Sequence, residues 1–275
     1  MDKVNFAICL AFQYIRTDSV RKAVADSSDC LHQVLKEIDV THDVIDKYII
    51  KQGEEKNIHG NMLLDVEQIM ELAEGFHNLI WILGINRTGI PFYTSDSPIG
   101  TVPHVNHPFM SMAGIRSEGV EVFFPLSPMH VLLMYEGSYH KNLISYERKY
   151  LSLTQKERIE YYNSVSIFES DRNIFSCNGD FNMVENLRQG NPEAFECPRV
   201  QITWNKNYNN VYCGFSYAPW QVQDYLYPYI AKEYCALKFV CIHDKSDFQK
   251  EQEYAREKEA FFWRNGRPYG TKNRN

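Results

Sequence analysis

The sequence predicts an α+β fold: a mostly helical N-terminal third, a small antiparallel or mixed sheet in the middle, and further strands and helices at the C-terminus. Three observations carry this expectation. Apolar residues recur at helical spacing as far as Leu83. Short β-prone runs bounded by proline then replace that spacing from Ile90 to Tyr135. The order is helices first and strands second, not the strand–helix alternation of a parallel sheet.

Each element follows from its own residues. Phe6, Phe12, Ile15 and Val24 leave Asp18, Arg21 and Lys22 on a polar side, which predicts one helix from Lys3 to Ala25. Asp26-Ser27-Ser28-Asp29 then reads as a break, with Ser28 or Asp29 capping a helix towards Ile38. A helical stretch from Thr41 to Lys51 precedes a polar loop, Gly53 to Asn61. Asp65 caps a longer helix with Ile69, Leu72, Ala73 and Phe76 inward, ending near Leu83 and punctuated by Gly84 and Gly89.

The middle reads as sheet. Ile90 to Thr94 is β-prone and halts at Ser95-Asp96-Ser97-Pro98, and a Pro-, His- and Gly-rich loop runs from Thr101 to Gly119. Val120 to Phe124 and Val131 to Tyr135 flank Pro125-Leu126-Ser127-Pro128. Proline cannot donate to a strand ladder, so this predicts a hairpin or two adjacent strands and not one long strand. Thr154 to Phe168 returns to helix, with Thr154 and Glu157 in capping-box spacing. Val200 to Trp204 and Asn210 to Phe215 read as strands around an Asn-rich turn. Gln221 to Ala236 and Asp247 to Trp263 read as helices around an apolar run, Leu237 to Ile242. With no linker or repeat, residues 1–265 form a single composite domain, aromatic-rich over 177–265, and 266–275 are a polar tail.

Composition narrows the class. Hydrophobic residues at 44% and charged residues at 23% of 275 exclude a wholly disordered or collagen-like chain. The 29 basic against 35 acidic side chains give a net charge of −6, which argues against non-specific coating of duplex DNA. No apolar run approaches the ~18 residues that a membrane helix needs. The seven cysteines show no C-x-x-C spacing, and the N-terminus lacks the features of a secretory signal. The expectation is a reduced, cytoplasmic protein in which Cys9 packs as a small hydrophobe.

Four blocks carry a resemblance. They are Phe12-Gln13-Tyr14-Ile15-Arg16-Thr17 with Arg21; Trp81 followed by Pro91-Phe92-Tyr93-Thr94-Ser95-Asp96-Ser97-Pro98; Phe124-Pro125-Leu126-Ser127-Pro128; and Asn163 through Phe175-Ser176. Over residues 6–176 the chain resembles a bacterial and fungal family known as domain of unknown function 4238. Members of that family commonly open with a His-His-x-Val-Pro type of segment ahead of the Arg-Thr helix. This chain starts at the helix, so the expectation is a short variant or a missing start, without any activity those histidines carry. The family implies no reaction.

Asp96 is the foremost chemical candidate. A carboxylate at a strand end is suited to a base or a metal ligand, and equally to an Asx-turn closed on the backbone just ahead. Arg16 would reach a phosphate or carboxylate, or pair with Asp96 as a structural bridge. Ser95, Ser127 and Asn163, within the same blocks, are candidate ligand contacts. His104, His107, His130 and His140 invite a metal reading, but the prolines around the first two favour a surface loop with incidental histidines. The tyrosines between Tyr208 and Tyr229 would stack single-stranded nucleic acid or, more commonly, pack a sheet or an interface. No H-E-x-x-H, G-x-S-x-G, Walker or dinucleotide fingerprint occurs.

Two functions follow. The favoured one is a binding or interaction component of a larger system, with a protein partner, no identified cofactor and no membrane. The alternative is a nuclease-like phosphodiester hydrolase, with Asp96 as base or metal ligand and Arg16 on phosphate. A divalent metal enters only under that alternative, while a nucleic-acid partner is possible under either reading.

Overall fold

A computed structural model describes residues 2–37, 54–105, 113–190, 200–205 and 210–215. Helix α1 (Lys3–Ile15) begins at Asp2, whose side chain accepts the Val4 N–H, and stops at Arg16. Helix α2 (Asp18–Glu37) restarts immediately. The predicted single helix is therefore broken at Thr17 and not at 26–29. The Thr17 hydroxyl donates to the Tyr14 carbonyl at 3.0 Å and accepts the Val20 N–H at 3.4 Å, ending one helix and starting the next. Asp26 to Asp29 lie inside α2. The expected polar loop at 53–61 is largely helix α3 (Glu55–Leu64), and its buried His59 binds the Ile15 carbonyl at 2.7 Å, tying α3 to the end of α1.

Helix α4 (Val66–His77) is capped by Asp65 as predicted, the carboxylate accepting the Gln68 N–H at 3.1 Å. It ends earlier than expected. Ile80 to Leu83 belong to strand β1 (Ile80–Asn86), because a strand buried on both faces is continuously apolar and mimics a buried helix. Gly84 lies within β1, where a Cβ would sit 2.6 Å from Val131 Cγ1. Its role is close strand approach and not helix termination.

Strands β2 (Thr94–Ser95), β3 (Gly100–Pro103), β4 (Val120–Ser127) and β5 (His130–Tyr135) follow. The predicted hairpin is β4–β5, antiparallel from Glu121 opposite Tyr135 to Ser127 opposite His130, with an irregularity between Pro125 and Ser127. A 3-10 helix (Lys141–Tyr146) leads to β6 (Tyr150–Leu153) and helix α5 (Lys156–Glu169). The N-cap of α5 is Gln155, and no capping box forms at Thr154. Strand β7 (Ile174–Phe175), helix α6 (Asn182–Gly190) and an antiparallel hairpin of β8 (Val200–Asn205) and β9 (Asn210–Phe215) complete the described chain. The expected elements at 41–51, 221–236, 237–242 and 247–263 lie outside the described residues.

The main sheet has the order β3-β4-β5-β1-β6, antiparallel except for the parallel β1–β6 pair. This is an α+β fold with a mixed sheet. Helices cover both faces. On one, Ile82, Phe123, Leu133 and Leu153 pack with Ile159, Tyr162 and Val165 of α5. On the other, Val122, Leu132 and Met134 pack with Leu10 and Ile15 of α1 and with Ile69 and Phe76 of α4. Among the described residues no helix is long and apolar enough to cross a membrane.

Candidate functional site

Three segments far apart in sequence meet where α1 hands over to α2. The first is Thr17 to Lys22, the second the turn Ser95 to Pro98, and the third the chain leaving α5 at Glu169 to Asn173. Strand pairing of β2 with β7 sets the second beside the third. Ser95 builds the turn itself: its hydroxyl donates to the Ser97 carbonyl at 2.9 Å and accepts the Ser97 N–H at 3.1 Å.

Asp96 is thereby free of the local turn and reaches across it. Its Oδ1 accepts the Asp171 N–H at 3.0 Å, and its Oδ2 accepts those of Arg172 at 2.8 Å and Asn173 at 3.1 Å. Three N–H groups at a turn after a helix would otherwise lack partners, and one carboxylate satisfies them. The hydrogen bonding anticipated from the sequence is real, but its partners lie 75 to 77 residues away and not just ahead. Charged side chains lock the far side: Lys22 pairs with Asp171, and Arg172 with Asp18 and Asp171. Asn163 supports the block from α5, accepting the Tyr93 N–H at 2.8 Å and donating to the Pro91 carbonyl at 2.9 Å.

The other predicted residues are placed differently. Arg16 is exposed at the C-cap of α1, and its Nε donates to Gln13 Oε1 at 2.8 Å; it forms no ion pair with Asp96. Ser127 lies in the β4–β5 turn, its Oγ 2.9 Å from His130 Nδ1 and accepting the Met129 N–H. Cys9 is exposed and does not pack in the core.

A second polar centre, missed at the sequence level, lies inside the α5 face. Glu121 is 2% exposed, and its carboxylate accepts from the hydroxyls of Tyr162 at 2.7 Å, Tyr135 at 2.9 Å and Tyr161 at 3.1 Å. His104 Nε2 is 2.8 Å away and Arg158 Nη2 3.5 Å. Burial pushes the Glu121 carboxyl up, but the His104 hydrogen bond, the Arg158 and His104 charges and the Tyr162 hydroxyl outweigh it and hold the group well below the usual carboxylate range. Burial, with the Glu121 charge, raises the Tyr135 hydroxyl, so it stays a donor. His104 and His140 are buried against each other's rings, which corrects the surface-loop expectation for His104. His107 lies outside the described residues. The signal that was available is a lone acid at an inward position of an apolar strand, Val120-Glu121-Val122. Among the described residues no cluster of His, Cys, Asp or Glu has a metal-holding arrangement.

A groove of about 650 Å³ opens beside the junction on the α1/α4 face, in the size range of ligand sites. Its floor is mainly apolar, with Ile15, Val20, Met62, Leu72 and Ile115 contributed by five segments. The α4 wall carries Gln68 and Glu71, and Arg116 lies against it, bonded to the Glu71 carbonyl and to Glu74. Leu64, Val66 and Met70, at the α3–α4 corner, are exposed.

Fold and junction define an α+β protein held by a carboxylate clamp between distant segments, with an apolar groove alongside. The chain belongs to the family described as protein of unknown function DUF4238, which matches residues 1–180 and so takes in all four blocks. Neither a curated protein nor a solved structure matches it.

Proposed function

We propose that this protein is a binding component whose groove docks an apolar segment of a partner protein flanked by lysine or arginine. The groove carries this reading. Its floor is apolar, and the α4 helix beside it carries Glu67, Glu71 and Glu74, of which Glu71 lines the groove and Glu74 pairs with Arg116. Apolar anchors would fill the floor and basic flanks would meet the acidic wall, the arrangement by which an amphipathic helix binds a groove. The hydrolase alternative lacks comparable support, since backbone donors occupy both Asp96 oxygens and Arg16 is bonded to Gln13.

A synthetic amphipathic helix of leucine and lysine is the probe, with a leucine–glutamate helix as control, read by fluorescence anisotropy against the full chain. The lysine peptide should bind saturably and the glutamate peptide should not. Glu71→Lys and Val20→Glu should each weaken binding by about tenfold, the equivalent of ~1.4 kcal/mol. Equal binding of both peptides, or no effect of either substitution, would overturn the proposal.

A further inference from the structure

Beside the groove lies a smaller cavity of about 30 Å³, lined by Tyr14, Thr17, Ser19, Val20, Ser97, Ile99 and Glu169. Tyr14, Ser19 and Val20 line both spaces. The cavity is polar where it matters. Ser97 is 7% exposed, and its Oγ, fully shielded from solvent, has no hydrogen-bond partner in the protein. The Ser95 hydroxyl fixes the Ser97 backbone on both sides, so the side chain is held at the cavity wall. Glu169, 5% exposed, and Thr17, 7% exposed, also line the cavity. The Tyr14 hydroxyl is pushed up to about 12 by burial and by the Glu169 charge, so it remains a donor.

We infer that this cavity is a binding site for one ordered water, which joins Ser97 Oγ to the polar groups of Thr17, Glu169 and Tyr14. A buried hydroxyl left without a partner costs roughly 1–3 kcal/mol, so a native fold supplies one. The volume exceeds the ~10–15 Å³ that a single water requires, and the lining offers the two to four polar partners that distinguish wet cavities from dry ones. The four polar contributors come from three segments: the end of α1, the 95–98 turn and the end of α5. The water therefore links the same segments that the Asp96 clamp links, on the other side of the turn. The water itself is uncharged.

The test is water-to-amide magnetisation transfer by NMR on the full chain, with a crystal structure of the same protein. A long-lived water should give cross-peaks to the Thr17 and Ser97 amides and a density peak within hydrogen-bond distance of Ser97 Oγ. Ser97→Val, which places carbon in the cavity, should abolish both, while Ser97→Thr, which keeps the hydroxyl, should retain them. If the valine variant fails to fold, the parent decides alone: cross-peaks and density support the site. A dry cavity in the parent overturns it, as does anomalous scattering at the peak after soaking with rubidium or thallium, which would make the occupant a monovalent cation. Cross-peaks that persist in Ser97→Val would also overturn it, because the water would then lie elsewhere.

Discussion

The two faces of the main sheet solve the same packing problem in opposite ways. On the α5 face the core closes around a charge: Glu121, His104 and Arg158, with three tyrosine hydroxyls, sit among Phe123, Leu133 and Val165. On the α1/α4 face the core cluster is apolar and, among the described residues, holds no buried ion pair, with His59 on the Ile15 carbonyl at its edge, and it leaves a groove open. The charged face is over-specified, since every partner of Glu121 must be in place before burial is tolerable. The apolar face is satisfied by volume alone and retains surface for a partner. Specificity of fold and availability for binding are thus divided between the faces.

The sharpest way to break this contrast is to remove one partner on each side. Arg158→Met leaves a buried carboxylate short of its guanidinium and should cost about 3–5 kcal/mol. Phe76→Ala, at a fully buried position, should cost a similar ~3–5 kcal/mol by opening a cavity. Acid titration separates the two. Glu121 has a folded-state value depressed below its ordinary 4.5, so the unfolded chain binds the proton more readily. Its stabilisation is fully present above pH 4.5 and is lost as pH falls from there through the folded value. Unfolding midpoints of Glu121→Gln should therefore approach those of the parent as pH drops below 4.5, whereas the Phe76→Ala deficit should stay constant. A pH-independent Glu121→Gln deficit would mean that Glu121 is not ionised in the fold.

Smaller effects sharpen the boundary between the faces, where the Asp96 clamp lies. An Asx-turn tolerates asparagine, but a carboxylate that receives N–H groups on both oxygens does not, because the asparagine amide turns a donor towards a donor. Asp96→Asn should lose about 1.5–3 kcal/mol in chemical denaturation, the range for hydrogen bonds to a charged group. A silent Asp96→Asn would show that one oxygen suffices. Lys22→Ala should change least, under about 1 kcal/mol, since its side chain is 50% exposed and its pair with Asp171 is screened.

How much of this could be read from the sequence depends on the range of the interaction. The β4–β5 hairpin was legible because two apolar runs and two prolines lie within one short window. Strand β1 was not, because Ile80 to Leu83 extend the apolar content of α4 without a break, and only pairing with β5 and β6 makes them a strand. The α1–α2 break was hidden because the apolar spacing continues across Thr17, whose hydroxyl makes the break. At the junction, Asp96 was identifiable as an acceptor, but its donors arrive with a segment that no local pattern connects to it. Glu121 required knowing that its strand is covered on both faces.

The parallel pairing of β1 with β6 also sets an order of events in time. β1 is made early, yet both its neighbours are downstream: β5 ends at Tyr135 and β6 at Leu153. On a ribosome adding ~5–20 residues per second, Ile80 and Ile82 would wait several seconds for their partners. Pairing over such sequence separations is intrinsically slow, so nascent β1 is exposed to chaperones and to mispairing with another chain. A pause in synthesis before Leu153 would lengthen that exposure.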